Sequence, residues 1–210
     1  MKVNYIDNGD SFAHIIKAYF ELCGAHVEMY RSDCSLETAA RGKPDIILLG
    51  PGPNGPREAG IYMELLDKYH KNMPFFGICL GFQAMMEYFG EPVMPLDDIV
   101  HGDSVPIFHN GRGIFEGIEN GAEFARYNSL GVPVLYSPSY GITMKRYKIP
   151  ECFDPTAETE GKHSGIVMGA RHKTLPIEGI QFHPESVLSM RNDNGIKLVN
   201  NVVRLYREIK

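Results

Sequence analysis

Three short stretches carry residue types that would do acyl-transfer chemistry if the fold brought them together. In Gly77-Ile78-Cys79-Leu80-Gly81-Phe82-Gln83 a thiol is bracketed by two glycines. In Gln181-Phe182-His183-Pro184-Glu185-Ser186 an imidazole and a carboxylate lie on either side of a proline. In Gly50-Pro51-Gly52-Pro53-Asn54-Gly55-Pro56 a rigid loop offers backbone amides. A thiol is a weak nucleophile until it is ionised, and a helix N-terminus together with a nearby histidine favours the thiolate. A histidine can take the thiol proton and later give it to a leaving group, while a carboxylate fixes its tautomer and orientation. An amide from the Gly52 loop, paired with the Leu80 amide, would form a two-donor oxyanion hole; losing one such donor typically costs ~3 kcal/mol of transition-state stabilisation.

The elements that must position these groups are legible around them. Phe75, Phe76 and Ile78 read as a strand, and Phe82, Met85, Met86 and Phe89 recur at helical spacing until Gly90. Cys79 therefore falls on a strand-to-helix elbow, where Gly77 and Gly81 leave room for a tight turn. Pro176 to Phe182 reads as a strand running into His183, which the following proline holds extended. Period-two alternation then puts His183 and Glu185 on one side.

Earlier in the chain, Lys2 to Ile6 reads as a first strand, with Asp10 or Ser11 capping the next helix. Phe12, Ile15, Ile16, Tyr19, Phe20 and Cys23 form that helix's apolar face, and Gly24 ends it. Ala25 to Tyr30 is a second strand, Leu36 to Arg41 a helical turn, and Asp45 to Leu49 a third strand apolar enough to be covered on both faces. Ile61, Leu65, Leu66 and Tyr69 mark a further amphipathic helix. This alternation predicts an α/β fold: a doubly wound, mainly parallel, flavodoxin-like sheet with functional loops at the strands' C-terminal ends.

Val105 to Phe108 and Ala122 to Tyr127 suggest further strands. Val134 to Pro138 and Gly141 to Ile149 suggest an exposed hairpin, followed by a polar connection from Asp154 to Ser164. Tyr136, Tyr140, Met144 and Tyr147, with Lys145, Arg146 and Lys148, offer a sticky basic patch. A last helix from about Asp193 to Ile209 carries Leu198, Val202, Leu205 and Ile209 on its apolar face.

The chain has 210 residues, 43% of them apolar, which suits one substantial core and a single domain over 1–210. A formal net charge of -5 without a basic cluster argues against nucleic acid or an anionic membrane surface as partner. The N-terminus lacks the pattern of a signal peptide and no apolar run is long enough to span a bilayer, so a soluble, cytoplasmic protein is expected. Cys23, Cys34, Cys79 and Cys152 form no metal-type pair and are expected to be free thiols, with no metal or cofactor implied.

The elbow, the Pro51-Gly52-Pro53 loop and the His183 stretch together resemble the class I, triad-type glutamine amidotransferases. Asp7-Asn8-Gly9-Asp10-Ser11-Phe12, Arg126-Tyr127-Asn128-Ser129-Leu130 and Arg171-His172-Lys173-Thr174-Leu175-Pro176 narrow the resemblance to the amidotransferase subunits of anthranilate synthase and aminodeoxychorismate synthase. The resemblance implies hydrolysis of L-glutamine to glutamate, with ammonia passed to a separate chorismate-using synthase subunit. It implies Cys79 as nucleophile, His183 as acid and base, and Glu185 as its orienter. It further implies that Gly52, Pro53, Asn54, Leu80 and Gln83 line the glutamine site, with Ser129 and Leu130 holding the substrate's amino-acid end. The anthranilate branch is the leading expectation. Alternatives are the aminodeoxychorismate branch, a free-standing γ-glutamyl cysteine hydrolase, and a non-catalytic glutamine-binding regulatory module.

The chain departs from the family pattern at four places. Asn54 stands for the usual glycine, Phe82 and Asn128 for common histidines, and Asp103 for a frequent lysine. Asparagine tolerates positive φ, so the loop is expected to keep its shape.

Overall fold

The computed structural model describes residues 1–96, 99–139, 142–160 and 165–209, with side chains described except at 135–139 and 142–145. Its centre is a nine-stranded sheet. Strands β1 (Lys2–Asp7), β2 (His26–Arg31), β3 (Ile46–Leu49) and β4 (Phe75–Ile78) are each followed by helical structure. The helices are α1 (Ala13–Leu22), α2 (Leu36–Ala39), α3 (Tyr62–Tyr69) and α4 (Leu80–Tyr88).

Beyond them lie β5 (Met94–Pro95), β6 (Asp103–His109), β7 (Ala122–Arg126) and β8 (Leu130–Gly131). Then come β9 (Val134–Ser139), β10 (Ile142–Tyr147), β11 (Phe153–Thr159), β12 (Val167–His172) and β13 (Ile177–Ile180), and α5 (Asn194–Glu208) closes the chain. The sheet order is β2-β1-β3-β4-β13-β12-β11-β6-β7. The strands from β2 to β13 are parallel, and the remaining four extend the sheet in antiparallel fashion.

The parallel half is doubly wound because its strands are apolar on both faces. Ile46 and Leu48 of β3 join Ile16 and Phe20 of α1 and Leu198 and Val202 of α5 in one buried cluster. Ile47 and Leu49 join Leu65 and Leu66 of α3 and Met85 of α4 in the other. Successive residues thus feed opposite layers, as an inner strand covered on both sides requires. The outer pair β9 and β10 forms an antiparallel hairpin, and β5 pairs with β8. No helix among the described residues is long and apolar enough to cross a membrane.

Four expectations change. The polar stretch from Asp154 is not a connection up to Thr159: it is most of β11, an inner strand between β12 and β6. Phe153 and Ala157 are buried there, and register shifts around Ala157 break the alternation that would have marked a strand. At the start of α1 neither Asp10 nor Ser11 is the capping residue; Phe12 holds that position and Asp10 Oδ1 accepts the Phe12 amide. Ile15 of α1 is 40% exposed. In α5 the buried face runs through Leu198, Val199, Val202, Val203 and Tyr206, whereas Ile209 is exposed and Leu205 half-buried. Tyr136, Tyr140, Met144 and Lys145, and with them the patch they were expected to form, lie outside the described side chains; Lys148 pairs with Glu91 at 3.5 Å.

Candidate active site

The parallel strands β3, β4 and β13 deliver the three motif stretches to one rim of the sheet. Cys79 sits between β4 and α4 with φ 52° and ψ −104°, a conformation that L-residues rarely adopt. Its amide donates to Ile180 O at 2.8 Å, and its carbonyl accepts the Gln83 amide at 3.0 Å, opening α4. The bracketing glycines are required by contact. A Cβ on Gly81 would lie 2.1 Å from the carbonyl oxygen of Leu49, and one on Gly77 would lie 2.6 Å from the backbone of Gly81 and Phe82. The elbow therefore packs on β3 with no space for side chains at either position.

The Gly52 loop folds over the same rim. A Cβ on Gly52 would fall 2.7 Å from the Cβ of Asn8, so this glycine is set by packing against the loop after β1. Ser32 Oγ donates to Asn8 Oδ1 at 2.6 Å, which holds the Asn8 amide beside the loop. Asn54 has φ 67°, the left-handed conformation expected of an asparagine replacing glycine.

His183 is fixed through its backbone. Its amide donates to Ala125 O at 2.9 Å, and its carbonyl accepts from Ser189 Oγ at 2.6 Å. Ser189 Oγ in turn accepts the Ala125 amide at 2.8 Å, tying the segment to β7. Gly195 lets α5 approach closely: a Cβ there would lie 2.0 Å from Pro184 O.

The imidazole Nδ1 lies 2.6 Å from Glu185 Oε1, with both side chains buried. Burial opposes the charged imidazolium, but the Glu185 carboxylate and the nearby Cys79 sulfur outweigh it and hold His183 well above the usual histidine range. Nε2, the nitrogen left for chemistry, is buried and in no well-formed hydrogen bond among the described residues.

A pocket of about 190 Å³ opens at this rim, lined by Gly52, Pro53, Asn54, Cys79, Leu80, Gln83, Tyr127, Asn128, Ser129 and Leu130. It gathers all seven residues expected around the substrate, along with Cys79. His183 and Glu185 do not line it; the ring of Tyr127, which does, has its centroid 5.0 Å from that of the His183 ring, edge to face. Of the departures, Phe82 is fully buried among core residues, and Asn128 accepts from Arg126 Nε at 2.8 Å while donating to Leu130 O at 2.8 Å. Asp103 begins β6.

Two residues at the site were missed. Tyr127 lines the pocket and bonds through its hydroxyl to Ser186 Oγ at 3.0 Å. Gln181 is fully buried and donates from Nε2 to Cys79 Sγ at 3.5 Å. Local pattern marks neither residue, because each meets partners far away in the chain.

The sequence model described as glutamine amidotransferase class-I matches residues 4–202. The chain is 37% identical over 202 residues to anthranilate synthase component 2 of Pseudomonas aeruginosa, covering 95% of this chain and 93% of that one. It is 40% identical over 197 residues to aminodeoxychorismate synthase component 2 of Escherichia coli strain K12, covering 93% and 96%. In fold it is similar to a solved structure described as a glutamine amidotransferase from Thermotoga maritima, with a TM-score of 0.73, 14% identity, and coverage of 99% of this chain and 98% of that one. With the family match spanning nearly its whole length, the chain belongs to the class-I glutamine amidotransferases.

Proposed function

We propose that the chain acts over residues 1–210 as one glutamine amidotransferase domain that hydrolyses L-glutamine and passes ammonia to a chorismate-using synthase subunit. Cys79 is the nucleophile, His183 the acid and base, and Glu185 the group that orients His183. The observation that carries this reading is the strained Cys79 elbow opening into a pocket of about 190 Å³, backed by a buried His183–Glu185 pair.

In the reaction, His183 takes the Cys79 proton and the sulfur attacks the δ-carbonyl carbon of glutamine. The oxygen's developing charge is met by the Leu80 amide and an amide of the Gly52 loop. Collapse breaks the C–N bond while His183 returns the proton to nitrogen, so ammonia leaves and a γ-glutamyl thioester remains on Cys79. Water then attacks the thioester, giving its proton to His183. Glutamate departs as the sulfur leaves. Ser129 and Leu130 hold the substrate's amino-acid end, and Gly52, Pro53, Asn54 and Gln83 complete the walls.

The acceptor is a synthase subunit in trans. Relatives named for both the anthranilate and the aminodeoxychorismate reactions support a chorismate-using partner, and anthranilate synthase is the first to test. Acid quenching of the chain during glutamine turnover, followed by mass spectrometry of the Cys79 peptide, tests the mechanism. A γ-glutamyl adduct on Cys79 is expected; turnover with the adduct on no residue or on another cysteine contradicts it.

A further inference from the structure

One chain of hydrogen bonds at the site has no part in the chemistry so far described. Arg126 Nε donates to Asn128 Oδ1 at 2.8 Å, and Asn128 Nδ2 donates to the Leu130 carbonyl at 2.8 Å. The same carbonyl accepts from Gln83 Nε2 at 2.9 Å, and Gln83 Nε2 also donates to Gln181 Oε1 at 3.0 Å. Gln181 Nε2 then faces Cys79 Sγ at 3.5 Å. Gln83 is 3% exposed and Gln181 is not exposed at all.

The polarity of this chain follows from its fixed end. A guanidinium can only donate and a backbone carbonyl can only accept. The Arg126 donor therefore turns the Asn128 oxygen toward itself and its nitrogen toward Leu130. The Leu130 carbonyl independently requires the Gln83 nitrogen, which leaves the second Gln83 N–H for an acceptor. Gln181 must meet it with oxygen, so the Gln181 nitrogen is turned to the sulfur. A buried amide placed the other way would set two donors or two acceptors against each other, with the cost of an unsatisfied polar group.

We propose that Gln181 is a positioning residue that holds a hydrogen-bond donor against the Cys79 sulfur, with Gln83 and the Leu130 carbonyl fixing which end of its amide faces the thiol. This rests on the reading of Cys79 as the nucleophile. An N–H on sulfur favours the charged thiolate over the thiol, both before attack and when sulfur leaves the thioester. The relay also passes through Leu130, on the pocket wall, so the substrate's binding site and the nucleophile share one hydrogen-bonded frame.

The test is the pH dependence of Cys79 alkylation by iodoacetamide, followed by mass spectrometry of the Cys79 peptide so that the other three cysteines do not interfere. In Gln181→Glu, Gln83 keeps its acceptor, and the group facing sulfur changes from a neutral donor to an acceptor that is negatively charged when ionised. Gln181→Met removes the donor with little change in length. The midpoint of alkylation is expected to move up by about one pH unit in Gln181→Met and further in Gln181→Glu.

Gln83→Met leaves Gln181 in place but unpinned, and should move the midpoint in the same direction by less. Folding is checked by circular dichroism, and Gln83→Met keeps the question open to measurement if the Gln181 variants do not fold. Folded variants with the wild-type midpoint would overturn the proposal, whatever their turnover. A separate failure, glutamine turnover persisting in Cys79→Ala, would overturn the nucleophile reading while leaving the alkylation result readable.

Discussion

His183 Nδ1 and Glu185 Oε1 lie 2.6 Å apart, with Pro184 alone between the two residues in the chain, and neither side chain is more than 4% exposed. The expected strand alternation does not extend through this segment: Pro184 and Glu185 form a turn, with the Ser186 amide donating to His183 O at 3.4 Å, and the turn carries the carboxylate back to the imidazole. The pair is thus built locally, whereas its relation to Cys79 depends on β13 lying beside β4.

Replacing Glu185 by glutamine removes the largest influence that raises His183, while burial continues to oppose its charge. The histidine's titration, followed by NMR, is expected to move down in Glu185→Gln. Stability linked to His183 in the wild type is full below about pH 6.5 and is lost as pH rises through the raised folded value, and the variant should lack it. Glutamine turnover is expected to fall about 10²–10⁴-fold, the range of general acid–base catalysis.

The strained conformation of Cys79 makes a stability prediction opposite in sign to its effect on activity. Cys79→Gly relieves a positive φ and is expected to stabilise the fold by about 1 kcal/mol, measured by denaturant unfolding, while abolishing turnover. Gly81→Ala is expected to destabilise by roughly 3 kcal/mol, because its methyl group would meet the backbone of Leu49 rather than a side chain able to move.

Asn54 separates loop shape from side-chain identity. With φ 67°, Asn54→Gly should keep the loop and leave glutamine KM within a few-fold, whereas the β-branched Asn54→Val cannot hold that conformation without strain. Steady-state kinetics of the two variants should therefore diverge, with KM raised in Asn54→Val.

Away from the site, Arg171 Nη2 donates to Glu178 Oε1 at 2.8 Å, and Glu178 is almost wholly buried. Burial pushes the Glu178 carboxyl up, and Arg171 pulls it partly back. Arg171→Met leaves a buried carboxylate without its partner and is expected to cost about 3 kcal/mol at neutral pH, with the loss shrinking as the solution is acidified. Glu178→Gln should cost less, since Arg171 reaches solvent. Urea unfolding of both variants across pH gives the comparison.

The elements around the site were legible because their periodicity is unbroken. The four residues of β3 are all buried, and the period of Leu65, Leu66, Met85 and Met86 marks two helices. β11 was hidden because Thr156 and Thr159 are buried despite their polarity, and because the shifts around Ala157 interrupt alternation. The missed part of α5 has the same origin as the exposed Ile15: hydrophobic spacing names a stripe, and only the packed neighbour decides which edge of it is covered. Within the site, Cys79, His183 and the loop from Gly52 could be named from local pattern. The roles of Tyr127 and Gln181 could not, since each depends on residues far away in the chain that meet only in the folded sheet.

Glutamate release from L-glutamine tests the central claim most directly, with the wild-type chain and Cys79→Ala each assayed alone and with anthranilate or aminodeoxychorismate synthase subunits plus chorismate. The account predicts release by the wild type, stimulation by one of the synthase subunits, and loss in Cys79→Ala under every condition. Unchanged release from Cys79→Ala, or no release by the wild type with either subunit despite measurable glutamine binding, would contradict it.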